Sequence, residues 1–218
     1  MSTGKKNTDR SLTFGEETCN CLTFKEKEGL AGLGELSCAE DGVEPCRWYV
    51  LRDLTRSNAR RPAYKLLSEH PVRVFTPMTR KSVVREGRRL WEEVPFLHDL
   101  VFAYGTRGRL DPIIGKTPTL QYRFMRGGYG KVMTVPTAEM ERFIRAVEAS
   151  SSPRFFRPEE ITSEMYGRRV RILGGALDGY EGPLLSSRGT KVKRLLVELP
   201  NFLTAAVEVQ PDLIEMLK

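Results

Sequence analysis

Histidine is nearly absent, with only His70 and His98 in 218 residues. Neither falls in a His-x-x-x-His spacing, the usual start of a zinc site. The chain has no Gly-x-Ser-x-Gly elbow and no phosphate loop ending in Gly-Lys-Ser/Thr. Those are two common local frames for nucleophilic and phosphoryl-transfer chemistry. Gly127-Gly-Tyr-Gly130-Lys131 is glycine-rich but has no strand–loop–helix frame around it, and it reads as a flexible connection. His98 and Asp99 are adjacent, so on a strand they face opposite sides and form no dyad. The sequence therefore points away from an enzyme and implies no cofactor and no metal.

Long apolar runs are also missing. None approaches the roughly 18 residues that a membrane span needs. The polar start, Met1-Ser-Thr-Gly-Lys-Lys-Asn7, has no apolar stretch behind it, so no secretory signal is visible. The expectation is a soluble, cytoplasmic protein with no membrane partner. The four cysteines, Cys19, Cys21, Cys38 and Cys46, all lie in the first 46 residues. Their spacing lacks the two short-spaced pairs of a common zinc pattern. The surrounding sequence is rich in Gly, Glu, Ser and Thr, so residues 1–46 read as a poorly ordered extension with incidental reduced thiols.

What is present is a chain that is 40% hydrophobic and 29% charged, with a formal charge of +7. That suits one medium domain or two small ones. Residues 1–47 hold 6 Lys/Arg and 9 Asp/Glu, a charge of −3; the remainder holds 29 and 19, a charge of +10. A basic body favours a polyanionic partner, because neutralising phosphates releases counterions.

Order is expected to begin at Arg47-Trp-Tyr-Val-Leu-Arg52, a β-branched and aromatic run. A helix follows, with Ser57 or Asn58 as its cap, Pro62 in its first turn and Ala63, Leu66 and Leu67 as its buried stripe. Val72 to Met78 alternates as a strand. Arg80 to Glu93 reads as a charged hairpin turning at Gly87. Leu100 to Tyr104 is almost wholly apolar, as a strand buried on both faces would be. Gln121–Met125 and Lys131–Val135 add strands. The clearest helix is Pro136 to Glu148, with Thr137 as cap and Met140, Phe143, Ile144 and Val147 at i, i+3, i+4 and i+7. Ser150 to Glu160 reads as a linker. The remainder, Ile161 to Lys218, has the pattern of a small all-β barrel, in which closure removes strand edges.

The sharpest local signal runs from Gly167 to Gly182. Val170 and Ile172 alternate into a core, Leu177 is an apolar plug, and Gly175, Gly179 and Gly182 recur at close intervals. Glycine allows the positive φ and close backbone approach that a tight barrel needs. This stretch resembles the KOW motif, with matches at Gly167, Val170, Ile172, Gly175, Leu177, Gly179 and Gly182. Upstream, the order is Trp48-Tyr-Val-Leu51, helix, strand to Thr76-Pro77, basic hairpin, Phe96 to Tyr104, then Val135-Pro136 before a helix. It resembles the NGN domain of NusG-like transcription elongation factors. Within them, Val101-Phe-Ala-Tyr-Gly-Thr106 and Tyr122-Arg-Phe124 make the chain look most like UpxY-type specialised antiterminators of Bacteroidota. It departs from many relatives at His98-Asp99, where they carry Pro-Asn or Pro-Gly.

The resemblance implies an α+β fold: an NGN-type antiparallel sheet with flanking helices over 47–149, a linker over 150–160, and an SH3-like KOW barrel over 161–218. It implies a factor that binds elongating RNA polymerase and suppresses premature termination, often in a surface-polysaccharide operon. By position, Leu97, Leu100, Phe102, Leu120 and Phe124 would form an apolar groove for the clamp-helix tips of the largest subunit. Arg56, Arg60 and Arg61, expected at a helix start where they oppose the macrodipole, would lie near non-template DNA. Arg80, Lys81, Arg85, Arg88 and Arg89 could follow nucleic acid or simply solvate a hairpin. The KOW barrel would meet nascent RNA, a small ribosomal protein or a termination factor. Two alternatives stay open: a housekeeping factor of the same fold, and a ribosome-associated KOW protein that binds RNA.

Overall fold

The computed structural model describes residues 44–85, 87–186 and 191–217. The first unit comprises β1 (Arg47–Asp53), α1 (Ala63–Leu67), β2 (Arg73–Phe75), β3 (Met78–Arg85), β4 (Arg88–Pro95), β5 (Leu100–Gly105), α2 (Arg107–Gly115), β6 (Leu120–Tyr122), β7 (Thr134–Val135) and α3 (Thr137–Glu148). The second comprises β8 (Arg154–Phe156), β9 (Tyr166–Ile172), β10 (Glu181–Leu185), β11 (Lys193–Leu199), β12 (Leu203–Val209) and β13 (Ile214–Met216).

In the first unit the strand order is β2-β5-β1-β6, with β7 also paired to β1 and every pairing antiparallel. The apolar runs of β1 and β5 are central because both faces of the sheet are covered. On one face Trp48, Val50, Leu100 and Phe102 join Phe75, Val135 and the α3 stripe in one apolar cluster. On the other, Tyr49, Leu51, Val101 and Ala103 cluster with Ala63, Tyr64 and Leu67 of α1, Leu110 of α2, and Leu120. Each fully buried side chain of this kind is worth about 1.5–3 kcal/mol of transfer free energy.

Three local expectations need correction. Helix α1 is only five residues long and starts after Pro62, not at Ser57 or Asn58. The buried Asp53 carboxylate takes the capping role instead, accepting the Ala63 amide at 2.7 Å and the Thr55 amide at 2.8 Å. Thr137 is the first helical residue of α3 rather than its cap, which is Pro136. Helix α2 is a third departure, since no helix was expected between Tyr104 and Gln121; it contains Pro112 and buries a single residue, Leu110, so it left little periodic trace.

The second unit is an antiparallel sheet ordered β13-β9-β10-β11-β12-β8. Within the stretch expected as a linker, residues 154–156 form β8, which pairs with β12 and buries Phe155. At Gly182 a Cβ would lie 2.7 Å from the Leu196 carbonyl oxygen, so β10 and β11 can approach only without a side chain there. Gly179 turns the chain with φ of +75°. Val170, Ile172 and Leu177 are buried. Cys46 is disulfide-bonded, so the reduced-thiol reading fails for it; the other three cysteines lie outside the described residues.

The two units share one apolar cluster. Phe96 packs on Phe155 with ring centroids 5.7 Å apart, and Phe102 meets Phe202 edge-on at 5.5 Å. The Tyr180 hydroxyl donates to the Arg142 carbonyl at 2.9 Å, and the Arg142 guanidinium donates to the Glu181 carbonyl at 2.9 Å. That guanidinium also lies 5.1 Å above the Tyr180 ring.

Candidate functional site

The hairpin β3–β4 pairs over eight residues and forms a two-stranded ribbon separate from both sheets. Gly87, with φ of +74°, supplies the left-handed turn residue. Arg80 pairs with Glu93 at 3.7 Å, and Arg85 with Glu92 at 2.8 Å. Exposed pairs of this kind contribute about 0–1 kcal/mol, so they help set register more than stability. Lys81, Arg88 and Arg89 have no carboxylate partner among the described residues. The expected basic residues of this segment are thus together and exposed on one projecting element. Sequence reasoning missed Trp91, which is 74% exposed, and Val84, 67% exposed on the same ribbon. The available signal was the register: Trp91 stands opposite Ser82, too small to cover an indole.

Arg56, Arg60 and Arg61 do not open a helix; they lie in the loop before α1. The macrodipole argument therefore does not apply to them. Asp53 folds this loop back on itself through its two amide bonds. Arg61 is taken by Glu69 at 2.6 Å, while Arg56 and Arg60 are exposed without a carboxylate partner among the described residues.

The five apolar candidates do not share one surface. Leu97, Leu100 and Phe102 lie on the α3 side of the sheet, with Leu100 and Phe102 buried and Leu97 partly so. Leu120 belongs to the opposite cluster. Phe124 is 56% exposed and forms an isolated bridge with Val132 at the mouth of the glycine-rich loop. The reason is strand alternation: residues two apart on β5 share a face, while β6 contributes Leu120 to the other. Phe202 of the second unit sits against Phe102, so the α3-side candidates are covered in this arrangement.

Two polar clusters stabilise the neighbourhood. Arg123 donates to Asp99 Oδ2 at 2.7 Å, tying the entry of β5 to the exit of β6 and giving Asp99 a structural part. The Tyr122 hydroxyl donates to Asp111 at 2.7 Å, and Arg107 lies 5.0 Å above the Tyr122 ring. Burial first, and then the bond to Asp111, push the Tyr122 phenol far above its usual range.

The first unit thus places a β-strand, a short helix, a projecting basic hairpin, a doubly buried strand and an amphipathic helix in order. Residues 46–144 match the NusG family. The matching model is described as "Transcription termination factor nusG", and its span runs from Cys46 into α3. The match covers 99 of the 218 residues, so the first unit is similar to the NusG family over most of its length. No curated protein matches the chain. Among the described residues, no helix is long and apolar enough to cross a membrane.

Proposed function

We propose that this chain is a cytoplasmic transcription elongation and antitermination factor that binds RNA polymerase and suppresses premature termination at a specialised operon, such as one for surface polysaccharide. The observation that carries the reading is the NusG-family match over the first unit. It acts by binding rather than by chemistry. Its first unit meets the clamp helices of the largest polymerase subunit through Leu97, Leu100 and Phe102, with Phe124 as an exposed outlier. Leu120, buried on the opposite face, supports the fold and not the groove. The basic hairpin, together with Arg56 and Arg60, faces nucleic acid.

The second unit is read as a KOW barrel. Its support is that motif positions fall where their chemistry is needed: Val170, Ile172 and Leu177 in the core, and Gly182 where two strands approach closest. Once free, it recruits a small ribosomal protein, a termination factor or nascent RNA. Because Phe202 and Phe155 sit over Phe102 and Phe96, polymerase binding selects a form in which the second unit has moved aside.

The test is transcription in vitro through an intrinsic terminator, with purified polymerase from the same source and the full chain. Increased read-through is expected. Unchanged termination, together with co-sedimentation with ribosomes from which polymerase has been removed, would contradict the reading.

A further inference from the structure

The β3–β4 ribbon has two open edges. It pairs with neither sheet, so the outer backbone groups of both strands have no strand partner among the described residues. A two-stranded hairpin is marginally stable in water by itself, and an open edge is a template for a further strand. Trp91 is 74% exposed, because Ser82 across from it is too small to cover an indole. Alternation puts Arg89 on the same face, next to Trp91 on the tip side. Arg89 has no carboxylate partner among the described residues. A strand that completes this ribbon therefore has to bring an aromatic or aliphatic side chain and a negative charge, both on one face.

A second copy of the hairpin brings a backbone but sets cation against cation, which disfavours the pairing. The second unit is engaged elsewhere, on Phe96 and Phe102. The chain itself holds a sequence with the right pattern. Leu22-Thr-Phe-Lys-Glu-Lys-Glu28 lies outside the described residues and alternates. In an extended chain Leu22, Phe24, Glu26 and Glu28 share one face, and both lysines take the other. Set antiparallel along β4 with Phe24 opposite Trp91, it puts Glu26 opposite Arg89. A parallel strand would put Glu26 opposite Glu93, so the charges select the antiparallel direction. Lys27 opposite Arg88 is the unfavourable pair of this register. The length of chain suffices: sixteen residues separate Glu28 from Glu44, about 50 Å when extended. Strand β1 and the whole ribbon laid end to end measure about 50 Å, and Trp91 stands at mid-ribbon.

We propose that residues 22–28 add an antiparallel third strand to the open edge of β4, with Phe24 opposite Trp91 and Glu26 opposite Arg89, and so cover the basic hairpin. The consequence rests on the nucleic-acid role read for that hairpin above, since the segment competes with such a ligand for Arg89.

The full chain is studied in reducing buffer, which opens the disulfide at Cys46 and leaves the segment its full reach. The chain has two tryptophans and Trp48 is fully buried, so acrylamide quenching reports on Trp91. Trp91 should be shielded in the wild type at low salt and severalfold more quenchable in Phe24→Ala. Arg89→Glu and Glu26→Lys should each expose it, and the two together should restore the shield. Lys27→Glu should deepen the shield. Unchanged Trp48 emission verifies that the variants are folded. A cover in place nine-tenths of the time weakens a competing ligand about tenfold, so Phe24→Ala should bind labelled oligo(dT) about tenfold more tightly than wild type does. The proposal is overturned if wild type and Phe24→Ala are equally quenchable, or if the paired charge reversal fails to restore the shield. It is overturned as well if shielding fades on dilution, which assigns the edge to a second copy. Shielding that follows this pattern, with no oligo(dT) bound by any variant, keeps the third strand and removes the nucleic-acid role. Equal quenching with oligo(dT) bound keeps that role and removes the strand.

Discussion

Phe202→Ala should loosen the second unit from the first without unfolding either. Phe202 lies in the turn between β11 and β12, where its backbone amide is held by the Leu199 carbonyl, so the turn does not depend on its ring. The ring's main aromatic partner is Phe102, across the junction at 5.5 Å and nearly perpendicular. An aromatic pair of this kind is worth about 0.5–1.5 kcal/mol beyond its burial. Adding the apolar area of a partly buried ring gives a loss of about 2 kcal/mol from the closed arrangement. The remaining tethers, Phe96–Phe155 and the Tyr180–Arg142–Glu181 contacts, stay in place. A change of that size shifts the ratio of open to closed forms about 30-fold. Where the open form is scarce, apparent affinity for polymerase rises in proportion to its population. Equilibrium binding of core RNA polymerase to wild type and variant measures this directly. Limited proteolysis between α3 and β8 gives an independent reading of opening. Unchanged or weaker polymerase binding, with unchanged proteolysis, would refute the idea that the second unit covers the docking face.

Asp53→Ala should cost about 2–4 kcal/mol, because it strands the buried Ala63 amide and the Thr55 amide at once. The melting temperature should then fall by about 4–16 °C, with Asp53→Asn intermediate because its amide oxygen still accepts one bond; equal melting curves would remove the loop-closing role. The Tyr122 phenol is held far above its ordinary value by burial and by Asp111. The folded chain keeps that proton where the unfolded chain loses it, so stability is present below about pH 10 and is lost as pH rises beyond it. Tyr122→Phe should flatten that alkaline decline in denaturant midpoints taken from pH 8 to 11, and an unchanged slope would contradict the assignment.

Much of the fold could be read from the residues. The doubly buried β5 announced itself as Leu100-Val-Phe-Ala-Tyr104, and α3 as the Met140–Val147 stripe, because packing on a sheet demands those periods. The hairpin followed from its run of basic residues around Gly87. Helix α2 was not legible, since one buried leucine and an internal proline make no period. The loop of Arg56 and Arg60 was mistaken for a helix start because its organiser, Asp53, sits ten residues before the amide it holds. Strand β8 was hidden in a Ser/Pro-rich stretch, its identity set by a partner some fifty residues later. The candidate sites were legible in part. Charge placed the basic hairpin, but Trp91 needed the register, and the cover over Phe102 needed the packing of the two units.

Binding of the full chain to core RNA polymerase tests the central claim most directly. Wild type should bind at moderate salt. Leu97→Asp should bind far more weakly, since it puts a carboxylate into the proposed apolar contact from a position only partly buried in the fold. Phe124→Asp, at an exposed site, should fold as wild type does and lose less. Failure of the folded wild-type protein to bind polymerase would contradict the account.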